Sequence, residues 1–222
     1  MTSGYRASAS PPVKKRKSRL VAKPQYWPAY LYGASVFGVL LTSGLSLAGA
    51  SNYEHDRVSV LAEGALYTEL LALVAGVSNY LWFGMTWQLL PPARQVTEHG
   101  RRISPGRVWG LQLVPIVNII FTWFLAKQIR HSYNEMVEEY RRTHRIRRLP
   151  LQLAFGLPLV GVVLVAMAAL TAEDPLLYKV FLGAGGVTFL SAQAAFLRFM
   201  FAVDKAKGLI AVAAPGALDV LR

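Results

Sequence analysis

Charge reaches this sequence in a few short bursts, and the apolar runs between the bursts are long enough to cross a lipid bilayer. A spanning helix needs about 20 mostly apolar residues. Four segments meet that requirement, at about 27–50, 66–90, 151–171 and 178–201. The second belongs to a longer apolar stretch, Val58 to Leu90, which exceeds a span and should extend beyond the bilayer. Only 16% of the residues are charged, against about 25% in soluble domains. The expected class is therefore an all-α integral membrane protein. The chain has no cysteine, which excludes disulfides, thiolate metal sites and thiol catalysis. Its net charge of +12 is read as membrane topology and not as nucleic-acid binding, because cytoplasmic loops collect Lys and Arg.

A fifth apolar segment, Val108 to Ala126, is interrupted by Pro115, with Asn118 three residues later. Proline removes a backbone donor and clashes with the preceding turn. Asparagine favours turns by bonding local backbone. Charge counting separates a crossing from a hairpin. The tail before the first span holds seven Lys/Arg, the loop after the second span four, residues 127–148 seven, and the chain from Arg198 onward four. Only Arg57 and Lys179 lie in the two remaining loops. If the segment enters and leaves by one face, 22 Lys/Arg share one side and two the other; if it crosses, the split is 12 to 12. The positive-inside rule selects the first arrangement. The expected architecture is four transmembrane helices plus a re-entrant or in-plane helical hairpin at about 105–126, with both termini cytoplasmic. Pro115 and Asn118 mark the expected hairpin turn. The small residues Ala48-Gly49-Ala50 imitate a signal-cleavage site, but the apolar stretch before them exceeds a usual signal core. The first span is expected to be retained.

Residues 1–25 form an expected disordered basic tail, and 26–207 the membrane domain. Lys14, Lys15, Arg16, Lys17 and Arg19 could hold anionic lipid headgroups, or simply orient the first span. Residues 127–149 read as an amphipathic helix lying on the inner membrane surface or binding a partner. Ile129, Tyr133, Met136, Val137, Tyr140 and His144 recur at helical spacing on one face. Ala34 and Gly38, Gly44 and Ala48, and the glycines at 183, 185 and 186 suit close helix packing. Residues 208–222 are read as a C-terminal tail.

Glu63 and Glu69 lie in the outer part of the second helix, where a protruding end accounts for them. The sharper alternative is a cation or proton site at Glu69, with Asn79 and Gln193 as polar neighbours. His131 and Glu135 have metal-pair spacing but no further ligand, so no metal site is expected. All four histidines lie outside the spans, which speaks against a haem or chlorophyll. No zinc-protease, nucleophile-elbow or phosphate-loop motif occurs. Neither enzymatic activity nor a cofactor is expected.

Ser104-Pro105-Gly106, followed by Val114-Pro115-Ile116-Val117-Asn118, resembles a bacterial multi-pass membrane-protein family of unknown function. That family carries Ser-Pro-Gly, a short apolar arm, Ile-Pro-x-x-Asn and an aromatic cluster. Phe121, Trp123 and Phe124 match the cluster loosely, and Asn134 stands where a later asparagine occurs in the family. Ile119-Ile120 replaces the Tyr-Trp that follows the family's asparagine. The resemblance implies a membrane-embedded hairpin and no activity. Two functions remain. One is a non-catalytic accessory or scaffold subunit of a bacterial inner-membrane complex, with a membrane-protein partner or a second copy of itself. The other is a small channel or transporter lined by Asn118, Glu69 and Asn79. Ser132 is a natural position for a single introduced cysteine to report sidedness.

Overall fold

The computed structural model describes residues 26–52, 57–96, 101–113, 115–140, 143–171 and 173–213. Six α-helices form within them: α1 Trp27–Asn52, α2 Arg57–Gln88, α3 Pro105–Gln112, α4 Pro115–Glu139, α5 Leu149–Leu170 and α6 Pro175–Ala213. A single 3-10 turn, Pro92–Arg94, sits between α2 and α3. Three stretches, Glu63–Gln88, Leu149–Leu170 and Leu176–Ala213, are long and apolar enough to cross a membrane. The fold is thus all-helical among the described residues, with the composition of a membrane protein.

The helices pair as two antiparallel hairpins, α1 with α2 and α5 with α6. Small residues set the close approaches. Gly38 lies against the Leu71 side chain, and Thr42 and Ser43 share hydrogen bonds with Thr68. Gly161 lies against Thr188 and Phe189, and Gly185 against Val165. A methyl added at Gly161 would come within 2.9 Å of the Phe189 ring, so that position admits only glycine at this helix spacing.

The hairpins meet through an aromatic hub. Phe196 of α6 packs on Tyr32 of α1, Trp82 and Phe83 of α2, and Phe155 of α5, with ring centroids 5.5–6.4 Å apart. Rings at these separations add attraction beyond their buried area. Further contacts between the hairpins run from the start of α1 to the last third of α6: Gly33 on Leu197, Tyr30 on Phe201 and Tyr26 beside Gly208.

Between α2 and α4 the chain folds back. Ser104 caps α3, accepting a hydrogen bond from the Arg107 N–H, and Pro105 occupies the first turn where no donor is needed. Trp87 Nε1 donates to Ile103 O, and farther along α3 Trp109 packs on Tyr80 and Gly84. As α3 advances, its contacts on α2 recede from residue 87 to residue 80, so the two run antiparallel. α4 then leads to Tyr133, whose hydroxyl donates to Thr86 O back at the end of α2.

Three sequence expectations change. The chain breaks at Leu113 and not at Pro115 to Asn118: Pro115 is the first residue of α4 and Asn118 lies within that helix. Proline suits a helix start, because the N–H it lacks would be unpaired there. The expected amphipathic helix 127–149 is the second half of α4 and stops at Glu139, while 143–147 is non-helical. Its apolar face does exist, with Ile129, Tyr133, Met136 and Val137 all buried. That face packs on the protein's own core and is not presented to the membrane surface. Finally, α6 continues to Ala213, into the stretch expected as tail, because Ala206 and Ile210 carry its buried face onward. The tail with Lys14, Lys15, Arg16, Lys17 and Arg19 lies outside the described residues, as do the side chains of Pro115 and Asn118.

A methyl group at Gly84 would fall within the Trp109 ring. Gly84→Ala should therefore displace α3 and lower stability by about 1–3 kcal/mol, as overpacking does. Thermal melting of purified protein in detergent measures this. Gly76→Ala, with open space around it, should melt like the wild type.

Candidate functional site

The residues on one stripe of α6 explain its unusual length. Phe196, Phe199, Met200, Val203, Ala206 and Ile210 recur at three- and four-residue steps and are buried, and Asp204 and Lys207 fall on the same stripe. Both charged side chains are therefore carried into the core, each 1% exposed. Lys207 Nζ donates to Asp204 Oδ1 at 2.5 Å and to Thr86 Oγ1 at 2.7 Å. Trp82 Nε1 donates to both Asp204 oxygens, at 3.1 and 3.3 Å. The Lys207 ammonium also lies 5.1 Å from the centroid of a Trp82 ring, a cation–π distance. Each charge has its counter-charge and a neutral partner, which is the condition for burying an ion pair without a net loss. Through Trp82 and Thr86 the pair joins α6 to α2.

A layer of polar contacts surrounds this pair. The last carbonyls of α2 and the turn after it are capped from outside the helix: Tyr133 donates to Thr86 O, and Gln95 Nε2 to Trp87 O and to Leu90 O beyond the helix end. Arg94 binds Glu135 at 2.5 Å and Glu139 at 2.8 Å, fixing the α2–α3 loop to α4. Asn134 clamps the segment between α4 and α5: its Oδ1 accepts from Ile146 N at 2.8 Å and its Nδ2 donates to Ile146 O at 3.1 Å. His144 Nε2 lies 2.9 Å from Ala202 O. The start of α1, the end of α2, most of α4, the start of α5 and the last third of α6 thus share one end of the molecule, with Arg94, Lys127, Arg130, Arg145, Arg147, Arg148, Lys205 and Lys207 in or beside these segments.

Of the expected pore residues, Glu69 and Asn79 are not brought together. Glu69 is exposed on α2, ten residues and so about 15 Å of helix from Asn79. Gln193 accepts a hydrogen bond from Tyr32. Asn79 Oδ1 is buried without a hydrogen-bond partner, as is Gln112 Nε2 on α3. His131 and Glu135 are paired at 3.1 Å, and no group of three His, Asp or Glu side chains gathers among the described residues. Sequence reasoning counted Lys207 only toward topology and passed over Asp204. The available signal was an acid and a base three residues apart on a stripe that is otherwise apolar.

The fold and this polar layer define an all-helical protein of membrane-spanning composition with a basic end tied together by buried polar contacts. The chain matches no protein-family model, no curated protein and no solved structure.

Removing one member of the buried pair strands the other. Lys207→Met alone should cost about 3–5 kcal/mol, and adding Asp204→Asn should recover much of that loss. Thermal melting of the two variants side by side tests this; equal melting of both would show the pair to be uncoupled. Asn134→Ala should release the 143–148 segment, seen as faster tryptic cleavage at Arg145, Arg147 or Arg148 with α6 left intact.

Proposed function

We propose that this chain is a non-catalytic accessory or scaffold subunit of a bacterial inner-membrane complex. It has four spans, a helix–break–helix hairpin that enters and leaves by one face, and cytoplasmic termini. Its class is carried by the four apolar stretches and its sidedness by the charge distribution.

The supporting observation is where the two helical pairs touch. Every contact between them described above lies within residues 26–33 and 82–86 on one side and residues 193–208 on the other. Beyond that zone, Leu66, Leu73 and Val77 of α2, Leu159, Val163 and Leu170 of α5, and Val187 of α6 are all exposed. Apolar shafts of this extent require lipid or the helices of a partner. The hairpin reading is supported by α3 running back along α2 and α4 returning to Thr86 and Arg94. Both arms then belong to the basic end, as the positive-inside rule asks. The transporter reading gains no comparable support, because Glu69 and Asn79 lie far apart on one helix.

Two measurements test this. Ser132, attractive from the sequence, is buried at 2% exposure and unsuited to labelling. Glu138→Cys and Leu176→Cys place single thiols at exposed positions toward opposite ends. In intact spheroplasts an impermeant maleimide should label the second and spare the first; labelling of Glu138→Cys from outside would end the hairpin topology. Purification from native membranes in mild detergent should yield a complex with a second membrane protein or with further copies of this chain. A strictly monomeric particle would remove the scaffold assignment.

A further inference from the structure

Arg130 on α4 faces the segment that Asn134 clamps, and that segment carries Arg145, Arg147 and Arg148. With Asn134 and Glu138 they line a cleft of about 570 Å³, a volume typical of small-molecule sites. Glu135 also borders the cleft, but Arg94 and His131 engage it. Among the described residues, no ion pair joins any of the four arginines to a carboxylate. Arg130 Nε is buried and has no hydrogen-bond acceptor. Burial, and then the neighbouring Arg148 and Arg145, push the Arg130 guanidinium below the usual arginine range. Cations crowded in this way are relieved by an anion, since arginine stays protonated.

Two further features face the same place. α5 starts there, with Arg148 at its N-cap and no side chain capping its first turn. The N-terminal end of a helix of 22 residues favours negative charge. Just past the cleft, Leu149 and Leu153 are exposed on α5, at the start of the apolar shaft. The cleft thus sits where a polar head would meet an apolar tail.

We propose that this cleft binds the phosphate of an anionic phospholipid headgroup, with the acyl chains lying along Leu149 and Leu153. Guanidinium forks from two chain segments would grip the phosphate bidentately, and α5 would meet it end-on. The inference goes beyond the scaffold reading and does not rest on it.

The test uses the full chain in detergent micelles, with thermal melting followed as lipid is titrated. Phosphatidylglycerol should raise the melting temperature of the wild type and phosphatidylcholine should not. Arg145→Gln with Arg148→Gln should weaken the phosphatidylglycerol response at least about tenfold, since each charge-assisted bond lost is worth a factor of that order. Lys14→Gln with Lys15→Gln should keep the response, which separates the cleft from the basic tail. If the double arginine variant melts low even in phosphatidylcholine, Arg148→Lys takes its place, keeping the charge but losing the fork, with a several-fold weaker response expected. An undiminished phosphatidylglycerol response in the arginine variants would overturn the proposal. So would an equal, cleft-dependent response to inorganic phosphate alone, which would assign the site to a soluble anion.

Discussion

An ion pair inside an apolar helical protein dictates the arrangement of everything near it. Asp204 and Lys207 are tolerated in the core only because Trp82 and Thr86 complete their hydrogen bonding. Buried charges without such partners cost several kcal/mol each. The geometry that satisfies them fixes the register of α6 against α2 to within a fraction of a turn, since a one-residue rotation would carry Lys207 away from Thr86. Thr86 then extends the constraint, as its carbonyl receives the Tyr133 hydroxyl and sets α4 beneath the pair. Three helices are therefore indexed to one another through a single residue of α2, whose side chain answers α6 and whose backbone answers α4.

The loops around this centre follow the same logic. Each segment that reverses direction at the basic end has a polar side chain that binds its backbone: Gln95 for the end of α2, Ser104 for the start of α3 and Asn134 for the approach to α5. A buried backbone group must find its partner within the protein, and Gln95 and Asn134 supply one where the chain is irregular. Ser104 of the Ser-Pro-Gly stretch and Asn134, both part of the family likeness, thus have local structural duties that need no shared activity to explain them.

What could be read from the sequence, and what could not, divides along the range of the forces involved. Long apolar helices follow from composition over some twenty residues, so α1, α5 and most of α2 and α6 were legible as helices, the last three with the composition to cross a membrane. The buried face of α4 was legible from its period. What covers that face was not, because lipid and protein make the same demand on a helix. Pro115 was misplaced for a different reason. Proline breaks a helix that is already running but begins one readily, and only the preceding α3, ending at Gln112, shows which case applies. The spacing of Asp204 and Lys207 was visible locally, but Trp82 and Thr86, the partners that make their burial possible, lie more than a hundred residues away in the chain.

The unequal joining of the two helical pairs follows from where polar groups can be used. Hydrogen bonds and ion pairs, those of Asp204, Lys207, Arg94 and Asn134 among them, hold the basic end. Toward the other end the pairs are held internally by glycine-mediated contacts such as Gly161 on Phe189, and lipid chains compete on equal terms with any apolar helix that would bridge them. Nothing apolar can therefore enforce closure of the far end, whereas the pair at Asp204 enforces closure of the near one. A molecule built this way is tied by polar contacts at one end and exposes apolar side chains along its shafts. The proposed accessory role would use this arrangement, with partner helices seated along the shafts.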